Sequence, residues 1–289
     1  MIFLLISIIC SVTVSVMLKL ARRYKISVVQ AVAWNYLFAA GLACLFFKPS
    51  IKDLSIVNVN STLLILGVLL PTIFWFLAAS VRNIGIVKTD IAQRLSLFIP
   101  IVASYLLFGD QFSVLKIAGL VVGFIAIFFT LAKKSDESSN KLNWFYPLVV
   151  FVGFGLIDVL FKQVAQIKTI PYTTSLILVF GISFLIALGG IAYWHFVKKE
   201  KIQLVNFICG CVLGFFNFFN ILFYLKAHRT MADQPSTVFT AMNLGVIIAG
   251  TLVGLLIFKE KLSRLNYIGL FLAAVAIILI TLSQLNVVR

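Results

Sequence analysis

The sequence predicts an all-α polytopic membrane protein, with ten transmembrane helices arranged as two inverted five-helix repeats. Three observations carry that prediction. The 289-residue chain is 62% hydrophobic and 11% charged, with a mean hydropathy of +1.12. A soluble domain carries roughly twice that charged fraction. Ten apolar stretches, each near bilayer length, fill the chain almost end to end. Finally, the turn before the fifth stretch returns before the tenth: FGDQFSVLKIAGL (Phe108–Leu120) aligns with FKEKLSRLNYIGL (Phe258–Leu270) at a shift of 150. An odd number of crossings per copy sets the second copy upside down in the bilayer, the building plan of many secondary transporters.

A window of about 19 residues places the first five spans at 2–20, 27–47, 61–81, 86–107 and 113–132. The second five fall at 145–165, 171–196, 203–225, 235–258 and 264–284. The first repeat is therefore 1–135, the linker 136–144 and the second repeat 145–289, all one membrane domain. The first span has neither a basic leader nor a small-residue cleavage pattern and reads as retained. Charged, Ser-rich KKSDESSNK (133–141) sits at the seam. The other connections are short, so neighbouring helices run antiparallel. The duplication extends further: FLAASVR (76–82) meets FYLKAHR (223–229) at a shift of 147, and Gly67 meets Gly214 at the same shift. Lys19 and Lys162 end the first span of each copy at a shift of 143, and small insertions account for the drift.

The net charge of +15 sits in short loops such as ARRYK (21–25) and KKEK (198–201). Anionic lipid headgroups, not nucleic acid, are the expected partners. Lys and Arg counted by loop place both termini outside the cytoplasm. The four cysteines (Cys10, Cys44, Cys209, Cys211) lie in apolar runs and are expected to pack there. No P-loop, HExxH, Ser-His-Asp or cofactor signature occurs, so neither an enzyme nor a cofactor is expected. The Gly-x-x-x-Gly motifs at 119/123, 210/214 and 250/254 predict close helix packing within one chain. A monomer satisfies them, and the oligomeric state stays open.

Polar side chains inside apolar spans cost several kcal/mol unless paired or wetted, so they point to a site. In the eighth span Asn217, Asn220 and Tyr224 recur at i, i+3 and i+7, a polar stripe suited to a zwitterionic solute or to interhelical hydrogen bonding. The fourth span offers Asp90 and Arg94, four apart, with Gln93 beside them. Asn243 is the counterpart of Gln93 at a shift of 150. Arg94 can anchor a carboxylate or phosphate, or snorkel to the headgroups. Asn35 lies in the second span. Asp158 and Lys162, also four apart, form either a self-neutralising pair or, through Asp158, a proton carrier. Pro71 makes a kink or a hinge. Asp110 and Glu260 are expected to bond backbone amides at the start of the helix that follows.

Two five-helix copies, each closing on an acid, Ser, an apolar pair and Gly-Leu, resemble the EamA-type transporters of the drug/metabolite transporter superfamily. The likeness covers essentially the whole chain. The family's turn reads Gly-Glu; here it reads Gly109-Asp110 and Lys259-Glu260, so each copy departs by one residue and keeps the acid. The resemblance implies ten helices around a cavity open alternately to either side, with both termini in the cytoplasm, against the loop count. It also implies export of a small organic metabolite across the inner (plasma) membrane. The expected solute-binding residues are Asn35, Gln93, Arg94, Asn217, Asn220, Tyr224 and Asn243, with Asp158 as the coupling acid and no metal. The alternative is a flippase for a lipid-linked sugar or phosphate.

Overall fold

The structure, a computed structural model, describes residues 2–23, 26–49, 60–84, 86–131, 145–257 and 263–287. The KKSDESSNK seam and Glu260 lie outside these residues. Eleven helices occupy the described chain, and no strand occurs among them. They are α1 (Ile2–Arg23), α2 (Val28–Phe47), α3 (Ser61–Ile84), α4 (Ile86–Leu95), α5 (Phe98–Leu106) and α6 (Val114–Leu131). The second set is α7 (Phe145–Gln166), α8 (Tyr172–Phe196), α9 (Leu204–Thr230), α10 (Pro235–Leu256) and α11 (Arg264–Val287). Six are long and apolar enough to cross a membrane, and four shorter apolar stretches accompany them.

The fourth crossing is not one helix. Pro100 has no N–H to give the Ser96 carbonyl, and its ring crowds that carbonyl. Ile99 N donates to Ser96 O at 3.0 Å instead, and the helix breaks into α4 and α5 at 96–97. At the matching place α10 has Gly250 and runs unbroken. α9 outlasts the predicted span and ends at Thr230. Its last turns carry charges that hydropathy penalises but aromatic rings hold: Lys226 Nζ is 5.4 Å from the Phe223 ring, and the Arg229 guanidinium is 4.6 Å from Tyr172. Pro71 is accommodated inside an otherwise continuous α3.

Packing is inside out, as a lipid solvent demands. Val114 is 85% exposed and Leu204 73%, while the ammonium-bearing Lys162 is fully buried. The most extensive pairing joins α6 to α11, and α2 packs on α8. Other pairings come in matched sets: α2 with α9 and α8 with α3, α1 with α9 and α7 with α3, α1 with α10 and α7 with α4 and α5. The glycines give residue detail. A Cβ at Gly67 would stand 2.6 Å from Ile182 Cγ2, and one at Gly214 would stand 2.6 Å from the Asn35 carbonyl oxygen. One shift of 147 carries Gly67 to Gly214 and Asn35 to Ile182, so the two crossings exchange partners. Gly210 abuts Trp34 and Gly119 abuts Ile280, whereas Gly250 has open space beside it and packs nothing.

Of the cysteines only Cys10 is buried; Cys44 is exposed, and Cys209 and Cys211 are half-buried. Thiols facing outward are tolerated because hydrocarbon surrounds the bundle.

Candidate functional site

The α9 stripe is longer than its three predicted members. It continues to His228, so it runs 11 residues, about 16 Å, along one face. Asn217 is 7% exposed, with no side-chain hydrogen bond among the described residues. Asn220 accepts a 2.8 Å bond from Ser7 Oγ of α1 through Oδ1, so this amide joins helices. Tyr224 Oη donates to Asp158 Oδ1 of α7 at 2.9 Å. The Asn243 amide of α10 lies near Asp158 and donates to the Phe239 carbonyl of its own helix at 3.0 Å. The carboxylate thus joins α7 to α9, with Asn243 of α10 beside the pair.

The Asp158–Lys162 pair suggested by their spacing is not what forms. Lys162 Nζ donates to the Ala232 carbonyl in the α9–α10 turn at 2.6 Å, and it faces the Phe108 ring at 5.8 Å. A carbonyl without a helical partner, at the end of α9, outcompetes an acid one turn below. His228 sits between Tyr224, edge-on, and Phe239, tilted, with both ring centroids at 4.7 Å. It is completely buried, and neither of its ring nitrogens has a hydrogen-bond partner. Ser236 Oγ and Thr237 Oγ1, at the start of α10, are likewise buried and unpartnered.

Asp110 does not cap its own following helix, because Ser113 Oγ already accepts from Lys116 N at 3.3 Å there. Its Oδ2 accepts from Ser236 N at the start of α10 at 2.9 Å, and its Oδ1 pairs with Lys116 Nζ at 2.6 Å. A charge from the first half therefore seats on the second. Counting alternating spans, this cluster and Lys162 share one end of the bundle. The other end is tied by neutral amides: Asn206 Nδ2 donates to Gln30 Oε1 at 2.9 Å, Gln30 Nε2 to the Lys201 carbonyl at 2.9 Å, and Ser27 N to Asn206 Oδ1 at 3.1 Å.

Of the other predicted residues, Asn35 is 5% exposed, on the face where α9 approaches α2. Gln93 and Arg94 are half-buried on α4, and Arg94 has a partner. The Asp90 side chain lies outside the description. Sequence reasoning named Tyr224, Asn243 and Asp158 as polar intrusions without joining them, and it passed over His228, Ser7 and Asn206. The i+11 spacing from Asn217 was the available signal for His228. Two lateral grooves, of about 310 and 390 Å³, lie elsewhere: the first between α3 and α7 around Thr72 and Leu148, the second at Trp75, Tyr193 and Trp194. Among the described residues no three His, Cys, Asp or Glu side chains gather as a metal would require.

Comparison with known proteins adds three findings. Residues 1–132 match the profile of the EamA-like transporter family. A protein of Haemophilus influenzae, described as uncharacterized, is 42% identical over 283 residues, which is 95% of each chain. A solved structure, described only as the crystal structure of a protein, has a TM-score of 0.73 at 13% identity, covering 99% of this chain and 97% of its own. It shares the fold.

Proposed function

We propose, from the premise that this chain belongs to the EamA-like transporter family, that it is a secondary transporter exporting a small organic metabolite, amino-acid-like or similar, across the inner (plasma) membrane. It works by alternating access of a site between two inverted five-helix repeats. The observation that carries the reading is the buried polar stripe on α9, from Asn217 to His228, met by Asp158 of α7 and Asn243 of α10 inside an apolar bundle. Polar groups are expensive in such surroundings, and intramembrane ionisable residues mark solute and ion pathways. Support for the inverted repeat comes from the exchanged crossings, Gly67 on Ile182 and Gly214 on Asn35.

The solute is assigned to Asn35, Gln93, Arg94, Asn217, Asn220, Tyr224 and Asn243. Asparagine and glutamine amides offer a donor and an acceptor each, matching the ammonium and carboxylate of a zwitterion. Arg94 takes a carboxylate. Asp158 is the coupling acid. Thermal-shift screening of purified protein against amino acids, nucleosides and organic cations tests the reading, because a ligand stabilises the state it binds. A stabilising solute whose effect is lost in Asn217→Ala, and which wild type moves in proteoliposomes, supports it. A stabilising solute that is never transported removes it.

A further inference from the structure

We propose that Asp158, Tyr224 and His228 form a proton-binding unit, which makes the coupling ion a proton and His228 its carrier at the Lys162 end of the bundle. The inference rests on the transport reading and names the ion that reading leaves open. Asp158 receives an O–H from Tyr224, with the Asn243 amide nearby. A phenol donor complements a carboxylate; it is not the shell of oxygens that a metal cation needs. A proton neutralises the acid in place, with no further ligand.

His228 is the second member. A neutral imidazole carries one N–H and one lone pair, and here both are buried without a partner. Its ring lies edge-on to Tyr224 at 4.7 Å, and Tyr224 is the residue that touches Asp158. Water reaching this corner gives the ring both missing bonds. Hydronium then transfers its proton to a ring nitrogen and leaves water behind. The water that enters bridges the ring to the Tyr224 oxygen: it takes the ring's proton and gives one of its own to that oxygen as the tyrosine O–H proton passes to Asp158, so water and tyrosine end unchanged.

The groups facing His228 decide when this happens. From α7 this is Lys162, within electrostatic reach; from α9 itself, Tyr224, which carries the bond to Asp158. α10 presents the uncharged Phe239 ring, and its first residues Ser236 and Thr237 are buried and uncharged as well. Asp233 in the α9–α10 turn, and Asp110 paired with Lys116 behind it, act on Lys162. With Lys162 seated on the Ala232 carbonyl, an imidazolium would set two buried cations side by side. Movement of the turn that carries Ala232 releases Lys162 and admits the proton.

The chain has two histidines, and exposed His195, bonded to the Glu200 carbonyl at 2.9 Å, is an internal reference. ¹⁵N-histidine NMR in lipid nanodiscs, from about pH 5 to about pH 9, reads both rings. The expected result is a His228 response distinct from that of His195. Asp158→Asn changes this response, and in a Tyr224→Phe background the Asp158 substitution no longer matters. Should His228 stay silent while His195 titrates, or respond identically in wild type and both variants, the proposal is overturned. Proteoliposomes loaded with a pH dye and given a mixture of ¹⁴C-amino acids separate the two readings. Solute flux indifferent to a pH gradient removes the proton and leaves the transporter. A His228–Asp158 titration seen by NMR without any solute flux supports proton binding and counts against the transport reading.

Discussion

The two halves of this molecule share a scaffold and differ in what they put inside it. Matching the copies by their own shifts, Asp158 falls on Ser15, Tyr224 on Leu77, His228 on Val81 and Asn243 on Gln93. Ser15 is content with its own helix, donating to the Ser11 carbonyl at 3.0 Å, whereas Asp158 accepts from Tyr224 of another helix at 2.9 Å. Small residues recur at the matched crossings of both halves, and Lys162 has Lys19 as its counterpart, whereas the positions matching Asp158, Tyr224 and His228 carry no ionisable group. Close helix approach depends on small side chains, which either half supplies. The Asp158–Tyr224 bond has no equivalent at the matching positions of the first half.

Disabling one side of this comparison has the largest expected consequence. Asp158→Asn in proteoliposomes should lower flux of the stabilising solute about tenfold or more, equivalent to at least 1.4 kcal/mol on the limiting barrier. Its counterpart Ser15→Ala should leave flux within about twofold. Equal losses in both would erase the functional asymmetry.

The scaffold comparison comes next. A new methyl at Gly214 meets the Asn35 backbone carbonyl, and one at Gly67 meets Cγ2 and Cβ of Ile182, the stiff branched root of that side chain, at 2.6 and 2.7 Å. Gly214→Ala and Gly67→Ala should therefore each destabilise by about 1–3 kcal/mol. Thermal unfolding in detergent reads both, and a loss confined to one of them would count against the packing described. Between the two ends of the bundle, Asp110→Asn strips the charge from a buried pair, leaving Lys116 uncompensated. It should lower the unfolding midpoint more than Gln30→Ala, which removes bonds to the Asn206 amide, the Lys201 carbonyl and, at 3.3 Å, the Glu200 carboxylate but leaves no buried charge behind. The smallest effect expected is that of Ser7→Ala, which loses one interhelical hydrogen bond to Asn220, worth about 0.6 kcal/mol in a membrane interior.

Much of this was legible in the sequence, for reasons that also explain what was not. Hydropathy reads composition, so span positions emerged directly, and the motif around Asp110 and Glu260 is what suggested two copies. Periodicity gave the Asn217–Asn220–Tyr224 face, since 3.6 residues per turn is a local property. The break in the fourth crossing escaped because a window averages over Pro100. Asp110 was assigned to α6 by adjacency, yet its acceptor role is spent on Ser236, 126 residues away, once Ser113 caps α6. Lys162 was matched with Asp158 on the same ground, and a carbonyl from a distant turn took it. Each miss concerns a partner chosen by the fold, which spacing along one helix does not encode.

The division of the fourth crossing at Ser96 carries its own mechanical consequence. α5 leads into the turn whose Asp110 is fastened to α10, while α4 bears Gln93 and Arg94 on the far side of the joint. Because no continuous ladder of backbone bonds crosses the joint, the piece holding Arg94 and the piece moored to α10 are separate rods, and strain on one is not carried stiffly into the other.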